Sequence, residues 1–251
     1  MSRLLTLSLS AVVLFVLAPA ARAADDNPKD ILAKAIKAHG GEEYLTKNKA
    51  AQLKTKGKLN IPGVGEVEFT QETSYMIPDK FKDTMEFKVM GQNVSVFTLI
   101  NGDKVTLEVN GKAVDAGDKV KEAMKEIGQV MEVGRLVPLK DKKYELSIIG
   151  EDKVEGKKVI GIRVSTKGKK DVNVYFNKET GLIAKVEHRT PDPATGKEIN
   201  EERIITEYGK GKNGVPQPKM ILIKHDGKQF LEAEVLEITM LEKIDDGEFK
   251  K

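Results

Sequence analysis

The 251-residue chain is 39% hydrophobic and 32% charged, and it contains no cysteine and no tryptophan. This is the composition of a globular protein, and the lack of cysteine excludes disulfides, thiolate metal sites, thiol catalysis and lipidation of an N-terminal cysteine. The formal net charge of +3 at pH 7 is too small to give a general field that attracts nucleic acid.

The first 23 residues have the pattern of an export signal. Arg3 gives a positive start, residues 4–17 form an apolar core, and Ala21-Arg22-Ala23 fits the small-residue rule for cleavage before Ala24. The core is shorter than the ~20 residues that cross a bilayer as a helix, so we predict a cleaved signal rather than a retained signal anchor. Residues 24–251 are then predicted to be one periplasmic domain with no transmembrane segment.

The predicted mature chain opens with a helix. Asn27 is a candidate N-cap, Pro28 suits the first helical position, and Asp30 lies in the first turn. Apolar residues then recur at helical spacing until Gly40-Gly41 ends the run, and residues 42–47 predict one further turn.

From Ala50 onward the hydrophobic period changes to two, which predicts β-strands with one apolar and one charged face. The strands predicted over residues 66–76 and 80–90 carry the clearest apolar sets. These inward-facing residues are Val67, Phe69, Tyr75, Phe81, Met85, Phe87 and Val89.

Further strands are predicted over residues 93–100, 104–109, 144–149, 157–165, 172–176, 182–189, 198–208, 219–225 and 229–241. Tight-turn sequences such as Asn110-Gly111 and Asp226-Gly227 separate them and favour hairpins. The fold class is therefore mainly β (α+β), with about ten strands in one large, curved antiparallel sheet or half-open β-barrel.

One helix interrupts the strands at residues 118–133, with Asp118 as a candidate cap and Gly117 and Gly134 as candidate hinges. Its apolar stripe contains Val120, Met124, Ile127 and Met131. Two interpretations remain open, namely a helix packed on the core and a lid over the concave side of the sheet.

No catalytic or metal-binding pattern emerges from the sequence. The glycines of residues 209–214 match a dinucleotide fingerprint, but Pro216 and Pro218 follow where that motif requires a helix, so we predict a connection between strands. His39, His188 and His225 show no metal-ligand spacing, and His188 is in phase with Val186, which predicts that it faces the interior. We therefore predict a protein that is not an enzyme and has no cofactor.

Two stretches resemble a known family. Residues 31–41 (ILAKAIKAHGG) resemble the start of exported lipoprotein-sorting proteins, and residues 174–185 (VYFNKETGLIAK) resemble a hairpin of the LolA-like family. Residues 204–208 (IITEY), 214–216 (GVP) and 244–249 (IDDGEF) are similar to the closing segments of that family.

The resemblance implies a half-closed antiparallel barrel whose helices plug an apolar hollow that shelters acyl chains. In LolA-type carriers an early strand holds an arginine that stabilises the closed state, but residues 50–90 of this chain contain none, and the first arginine after the signal is Arg135. We therefore carry over no gating residue.

The sequence thus predicts a periplasmic carrier of lipid or lipoprotein acyl chains, with the residues named above on strands 66–76 and 80–90 as the lining, together with Met124, Ile127 and Met131 of the helix. The alternative is a sensor or adaptor that uses the same fold to bind another envelope protein. Nucleic acid is excluded as a partner because aromatic residues are scarce, at 5%, and lysines are dispersed along the strands.

Overall fold

The computed structural model describes residues 27–115, 117–192 and 195–251, so the predicted export signal lies outside the described residues. The helices are α1 (Pro28–Ala38), α2 (Glu42–Lys47) and α3 (Gly117–Gly134). Short 3-10 helices follow at Val137–Lys140, Lys212–Gly214 and Asp246–Phe249. The strands are β1 (Ala50–Ile61), β2 (Gly65–Met76), β3 (Lys80–Val89), β4 (Gln92–Asn101), β5 (Lys104–Val109), β6 (Lys112–Ala113), β7 (Tyr144–Val154), β8 (Lys157–Thr166), β9 (Val172–Asn177), β10 (Ile183–Pro191), β11 (Glu198–Lys210), β12 (Pro216–His225) and β13 (Lys228–Leu241).

In the described residues these thirteen strands form one antiparallel sheet that is open. Its order is β6-β5-β4-β3-β2-β1-β13-β12-β11-β10-β9-β8-β7, so β6 and β7 are the two edges. Most neighbours are consecutive in sequence, as the predicted hairpins require. The mainly β fold with one large antiparallel sheet and a central helix is confirmed, whereas a closed β-barrel is not formed.

One pairing joins the two halves of the sheet. β1 pairs with β13 from Ala50 opposite Leu241 to Leu59 opposite Leu231, with a register shift after Lys54. We call this pairing the β1–β13 seam. Gly57 lies within it, directly opposite Ala233.

The first helix begins where the sequence predicts. The side chain of Asn27 accepts a hydrogen bond from the Lys29 backbone N–H at 3.0 Å, and Pro28 is the first helical residue. The cap satisfies an N–H group that has no partner within the helix, while proline fixes a helical φ. α2 follows as predicted and buries Leu45.

Several element boundaries differ from the sequence-based predictions, among them those of α3, β7 and β12. α3 begins at Gly117, so Asp118 lies in its first turn rather than at its cap. β7 continues beyond residue 149 through a register shift at Gly150 to Val154. β12 begins at Pro216 rather than Lys219, because its first part pairs with β11 alone, and its pairing with β13 starts at Met220. A proline without an N–H group is tolerated where one side of a strand has no ladder.

The largest core cluster lies between the helices and one face of the sheet. Leu32 and Ile36 of α1 and Val133 of α3 pack with inward side chains of β8, β9 and β10, including Val174 and Val186. We call the face that these helices cover the helix-side face. No helix in the described ranges is long and apolar enough to cross a membrane.

Candidate functional site

The strand register shows which residues share the helix-side face. Directly opposed residues in antiparallel strands point to the same side of a sheet. An unbroken series of such pairs runs across the sheet from Val174 on β9 through Val186, Arg203, Ile223, Leu231 and Leu59 to Val67 on β2. Val67 therefore faces the same side as the helices.

The residues predicted to line the hollow on β2 and β3 share this face. Phe69 lies opposite Phe87, and Tyr75 lies opposite Phe81, while the remaining members (Val67, Met85 and Val89) are in the same alternation phase. Val67, Phe69, Met85 and Phe87 belong to one hydrophobic cluster with Leu59, Leu231 and Ala233. The structure thus brings most of the predicted strand residues together.

Burial divides these residues into two kinds. Phe69 is only 3% exposed, which makes it a core residue in this conformation. Val67, Tyr75, Phe81, Met85, Phe87 and Val89 are half-buried, as are Met124, Ile127 and Met131 of α3. The side chain of Val120, which belongs to the same predicted stripe, lies outside the described residues. Half-buried apolar side chains on a concave face are available to a ligand without unfolding.

A cavity of about 520 Å³ lies between α3 and the turns at the ends of β2–β3, β4–β5 and β8–β9. Its apolar lining consists of Ile77, Pro78, Phe81, Ile100 and Met131, so the cavity brings one predicted strand residue and one predicted helix residue together. Charged side chains surround them, among them Asp103, Lys125, Glu126 and Lys170. The cavity therefore combines an apolar floor with a polar rim.

Polar contacts hold α3 across this cavity from both sides. Lys125 forms an ion pair with Asp103 at 3.2 Å, and Glu126 forms one with Lys170 at 3.1 Å. Gln129 donates a hydrogen bond to the Lys170 carbonyl at 2.9 Å. The Lys125–Asp103 pair is exposed and contributes at most about 1 kcal/mol, whereas Glu126 and Lys170 are half-buried and Gln129 is buried.

The C-terminal end of α3 is anchored differently. The guanidinium of Arg135 donates hydrogen bonds to the backbone carbonyls of Leu45 and Asn48, at the end of α2. Burial lowers the pKa of Arg135, which also lies beside Tyr75 and Tyr44. Arg135 therefore ties α3 to α2, and sequence reasoning assigned it no role because it follows no recognised motif.

A wider cavity of about 1040 Å³ opens on the opposite face of the sheet. Lys56, Lys58, Glu68, Glu86 and Lys88 are among its lining residues, and all five belong to the charged sets of β1, β2 and β3. Phe69, Phe87, Val94 and Met220 also line it, but none of its lining residues belongs to a helix that could cover a bound alkyl chain. The smaller cavity under α3 is therefore the candidate site.

The helix-side face is not uniformly apolar, which corrects the prediction that one face of each strand is apolar. Asp83 of β3 lies opposite Thr73 of β2 and Thr98 of β4. Thr73 Oγ1 donates to Asp83 Oδ1 at 2.6 Å, and Gln71 Nε2 donates to the same oxygen at 2.9 Å. Burial raises the pKa of Asp83, and these hydrogen bonds only partly oppose it. The interrupted apolar alternation at Gln71, Thr73 and Asp83 is the sequence signal for this group.

A second polar group lies on the same face at β10–β12. Glu201 accepts a hydrogen bond from Arg203 Nε at 2.6 Å and contacts His225 Nε2 at 3.2 Å. Although burial opposes ionisation, Arg203, His225 and His188 together hold the pKa of Glu201 well below its usual range. Burial lowers the pKa of His188 to about 4, and the positive charge of Arg203 contributes. His188 is 7% exposed, so its predicted inward orientation is confirmed.

The remaining predicted features have ordinary structural places. Of residues 209–214, the first two end β11 and the rest connect β11 to β12 through a 3-10 turn, as expected of a link between strands. His39 caps α1 with its backbone N–H. Across residues 27–115, 117–192 and 195–251, no group of three or more His, Cys, Asp or Glu side chains is arranged to hold a metal ion.

Comparison with solved structures places this geometry among known folds. A LolA superfamily protein from Nitrosomonas europaea aligns with a TM-score of 0.56 at 10% identity, over 89% of this chain and 97% of that one. A DUF1329 family protein from Desulfovibrio piger aligns with a TM-score of 0.53 at 11% identity, over 88% and 96%. A Vibrio parahaemolyticus domain described as that of an outer membrane lipoprotein-sorting protein aligns with a TM-score of 0.51 at 13% identity, over 89% and 97%.

No protein-family model matches the sequence, and no curated protein matches it. At these identities the structural likeness establishes the architecture, while residue roles must come from this chain itself. The chain has the fold that these three solved structures share.

Proposed function

We propose that this protein binds the acyl chain of a lipid or lipoprotein on the helix-side face beneath α3, as an exported, non-enzymatic periplasmic carrier. The observation that carries the proposal is the set of half-buried apolar residues on β2 and β3, next to a cavity that α3 spans. Phe81 belongs to both features, and Met131 of α3 lines the same cavity.

The energetics of alkyl burial suit such a face. Each buried methylene contributes roughly 0.8 kcal/mol, so a chain of ~14 methylenes gains on the order of 10 kcal/mol when it is fully covered. Methionine is unbranched and polarizable, so Met85 and Met131 can adjust to a flexible ligand. Phe81 and Phe87 add broad apolar surfaces on the same face.

The unequal attachment of α3 supports its role as a lid. Lys125, in its N-terminal half, is held by an exposed ion pair, whereas its C-terminal end is tied to α2 by the half-buried Arg135. Gly117 has a φ of +67° at the other end, a conformation that favours glycine at a bend. Opening from the N-terminal half therefore costs less than release of the C-terminal end.

The first test is mass spectrometry of the mature protein purified from periplasm without detergent, in the native state and after organic extraction. A stoichiometric lipid or acylated peptide supports the proposal and identifies the cargo. A protein that is empty, and that also fails to take up a fluorescent fatty acid, contradicts it and favours the adaptor function.

A matched pair of variants tests the location of the site. Met85→Glu places a charge among the half-buried apolar side chains, so we expect fluorescent fatty-acid uptake to fall at least tenfold. Met90→Glu makes the same substitution at a residue that is 90% exposed, so uptake should be unchanged. Equal uptake by both variants, with native stability retained, would place the ligand elsewhere.

A further inference from the structure

Asp83 is the charged residue that interrupts the apolar helix-side face of β3. It lies between Phe81 and Met85 in the same alternation phase, and it is 8% exposed. A carboxylate in an apolar environment is normally paired with a cation or a metal ion. Among the described residues, Asp83 forms no ion pair. Its pKa is raised by burial and lowered only by the hydrogen bonds from two neutral donors, Thr73 and Gln71.

The hydrogen bonds of Asp83 leave one oxygen open. Thr73 Oγ1 and Gln71 Nε2 both donate to Oδ1, and Gln71 is held by Thr55 Oγ1 at 3.2 Å. Within the part of the chain that the structure describes, Oδ2 accepts no hydrogen bond. The side chain is therefore fixed in orientation, while one acceptor remains for a group from outside the chain.

This arrangement is costly for folding alone. A buried carboxylate without a counter-charge destabilises the native state, and replacing a buried charged group by an apolar one of similar volume is often neutral or stabilising. A hydrogen-bond donor from a ligand would compensate the carboxylate only in the bound state. A ligand that carries such a donor would therefore bind more tightly than a ligand that lacks it.

The position of Asp83 places it within reach of a bound chain. Residues two apart on one strand face are roughly 6.5 Å apart, so Asp83 is one side-chain step from Phe81. Phe81 lines the cavity beneath α3. An alkyl chain packed against Phe81 and Met131 can therefore place a polar group of the same molecule at Asp83.

We propose that Asp83, oriented by Thr73 and Gln71, binds an N–H donor of the acyl ligand, and that the site thereby selects ammonium- or amide-bearing acyl compounds over fatty-acid anions. This inference rests on the proposed function and names the ligand class for the same site. The shared chemistry is the N–H group, which a lipid amine headgroup or the amide of an acylated peptide could supply.

Competition for a bound fluorescent fatty acid by three probes with similar alkyl chains tests the selectivity. Dodecylamine carries a cationic N–H donor, N-dodecylacetamide carries a neutral one, and dodecanoate carries an anion without an N–H group. The wild-type protein should prefer at least one N–H probe over dodecanoate. In Asp83→Asn that preference should fall about tenfold to a hundredfold, the range for loss of one charge-assisted hydrogen bond. Preference for the amine indicates a cationic headgroup, and equal preference for the amide indicates an acylated peptide.

Glu86→Gln is the matched control, because it removes a carboxylate from the exposed, opposite face of the same strand and should leave the preference unchanged. If Asp83→Asn does not fold, Thr73→Val replaces it. Loss of that donor to Oδ1 should weaken the amine preference near neutral pH, and a higher pH should restore it.

The outcomes separate the two proposals. If the fatty acid and all three probes fail to bind the wild-type protein, the proposed function fails and this inference with it. If the probes bind but their ratios are the same in the wild type, Asp83→Asn and Glu86→Gln, the inference alone is overturned.

Discussion

Gly57 is the residue at which the β1–β13 seam tolerates no side chain. A Cβ atom built on Gly57 would lie 1.9 Å from the Glu232 carbonyl oxygen and 2.8 Å from the Ala233 Cα atom. Both are backbone atoms, so no rotamer change can relieve the contact. Gly57→Ala can be accommodated only if β1 and β13 separate by about 1 Å or more, and their hydrogen bonds then exceed the normal donor–acceptor range.

We expect Gly57→Ala to lower the free energy of unfolding by about 3–5 kcal/mol. Overpacking contributes about 1–3 kcal/mol, and each weakened backbone hydrogen bond adds about 1 kcal/mol. For a chain of this size the loss corresponds to a fall in Tm of roughly 10 °C. Urea denaturation followed by far-UV circular dichroism measures the free energy, and a thermal scan measures Tm.

Gly134→Ala provides the control. Gly134 ends α3 without a positive φ, and nothing lies within 4 Å of its added Cβ, so alanine should be neutral or stabilise by less than about 1 kcal/mol. Equal urea midpoints for Gly57→Ala and the wild type would refute the reasoning, because they would show that the seam is looser than the strand register requires.

Three further predictions follow from burial and charge. Phe69→Ala should lower the free energy of unfolding, measured by urea denaturation, by about 3–5 kcal/mol, whereas Phe87→Ala, at a half-buried site, should lower it by less than half as much. Equal losses would contradict the division into core and lining residues. Burial keeps His188 neutral, with a pKa of about 4 in the folded protein against 6.5 in the unfolded chain. Between these values the unfolded chain binds the extra proton, so Tm should fall as the pH drops below 6.5. The free energy of unfolding should decrease by up to about 3 kcal/mol at pH 4. His188→Gln should flatten that dependence, and an unchanged slope would exclude His188 as its source. Arg135→Met removes the hydrogen bonds to α2, so amide hydrogen exchange should quicken in α2 and in the last turn of α3 but not in α1; uniform exchange rates would show that Arg135 is no anchor.

Local chemistry made part of the fold predictable. The Asn27–Pro28 start of α1 depends on capping within four residues, and the hairpins depend on turn residues such as Asn110-Gly111 and Asp226-Gly227. Alternation likewise placed Phe69 and Phe87 on one face, because a side-chain period of two is intrinsic to a strand. These features need no knowledge of distant parts of the chain.

The missed features depend on partners that are remote in sequence. Pro216 can lie in a strand because β13 does not pair with β12 before Met220, so no partner on that side needs its N–H group. No local rule reveals this. Asp83 was assigned no place from the sequence, since its burial is set by neighbours on β2 and β4. Phe69 was assigned to the lining, and only the packing of Leu231 from the far end of the chain shows that it is core.

The β1–β13 seam also sets the order in which the sheet can be completed. β1 ends by Ile61, while its partner begins only at Lys228, so the two halves cannot join until the chain through β13 has been synthesised. Pairings between such distant segments are slow to form, since loop closure must precede any favourable contact. Until then the β1–β6 meander would hold β1 as an unpaired edge twelve residues long. A nascent chain of this topology therefore stays incompletely folded until β13 emerges, and loss of β13 would leave two half-sheets, each with an exposed edge open to aggregation.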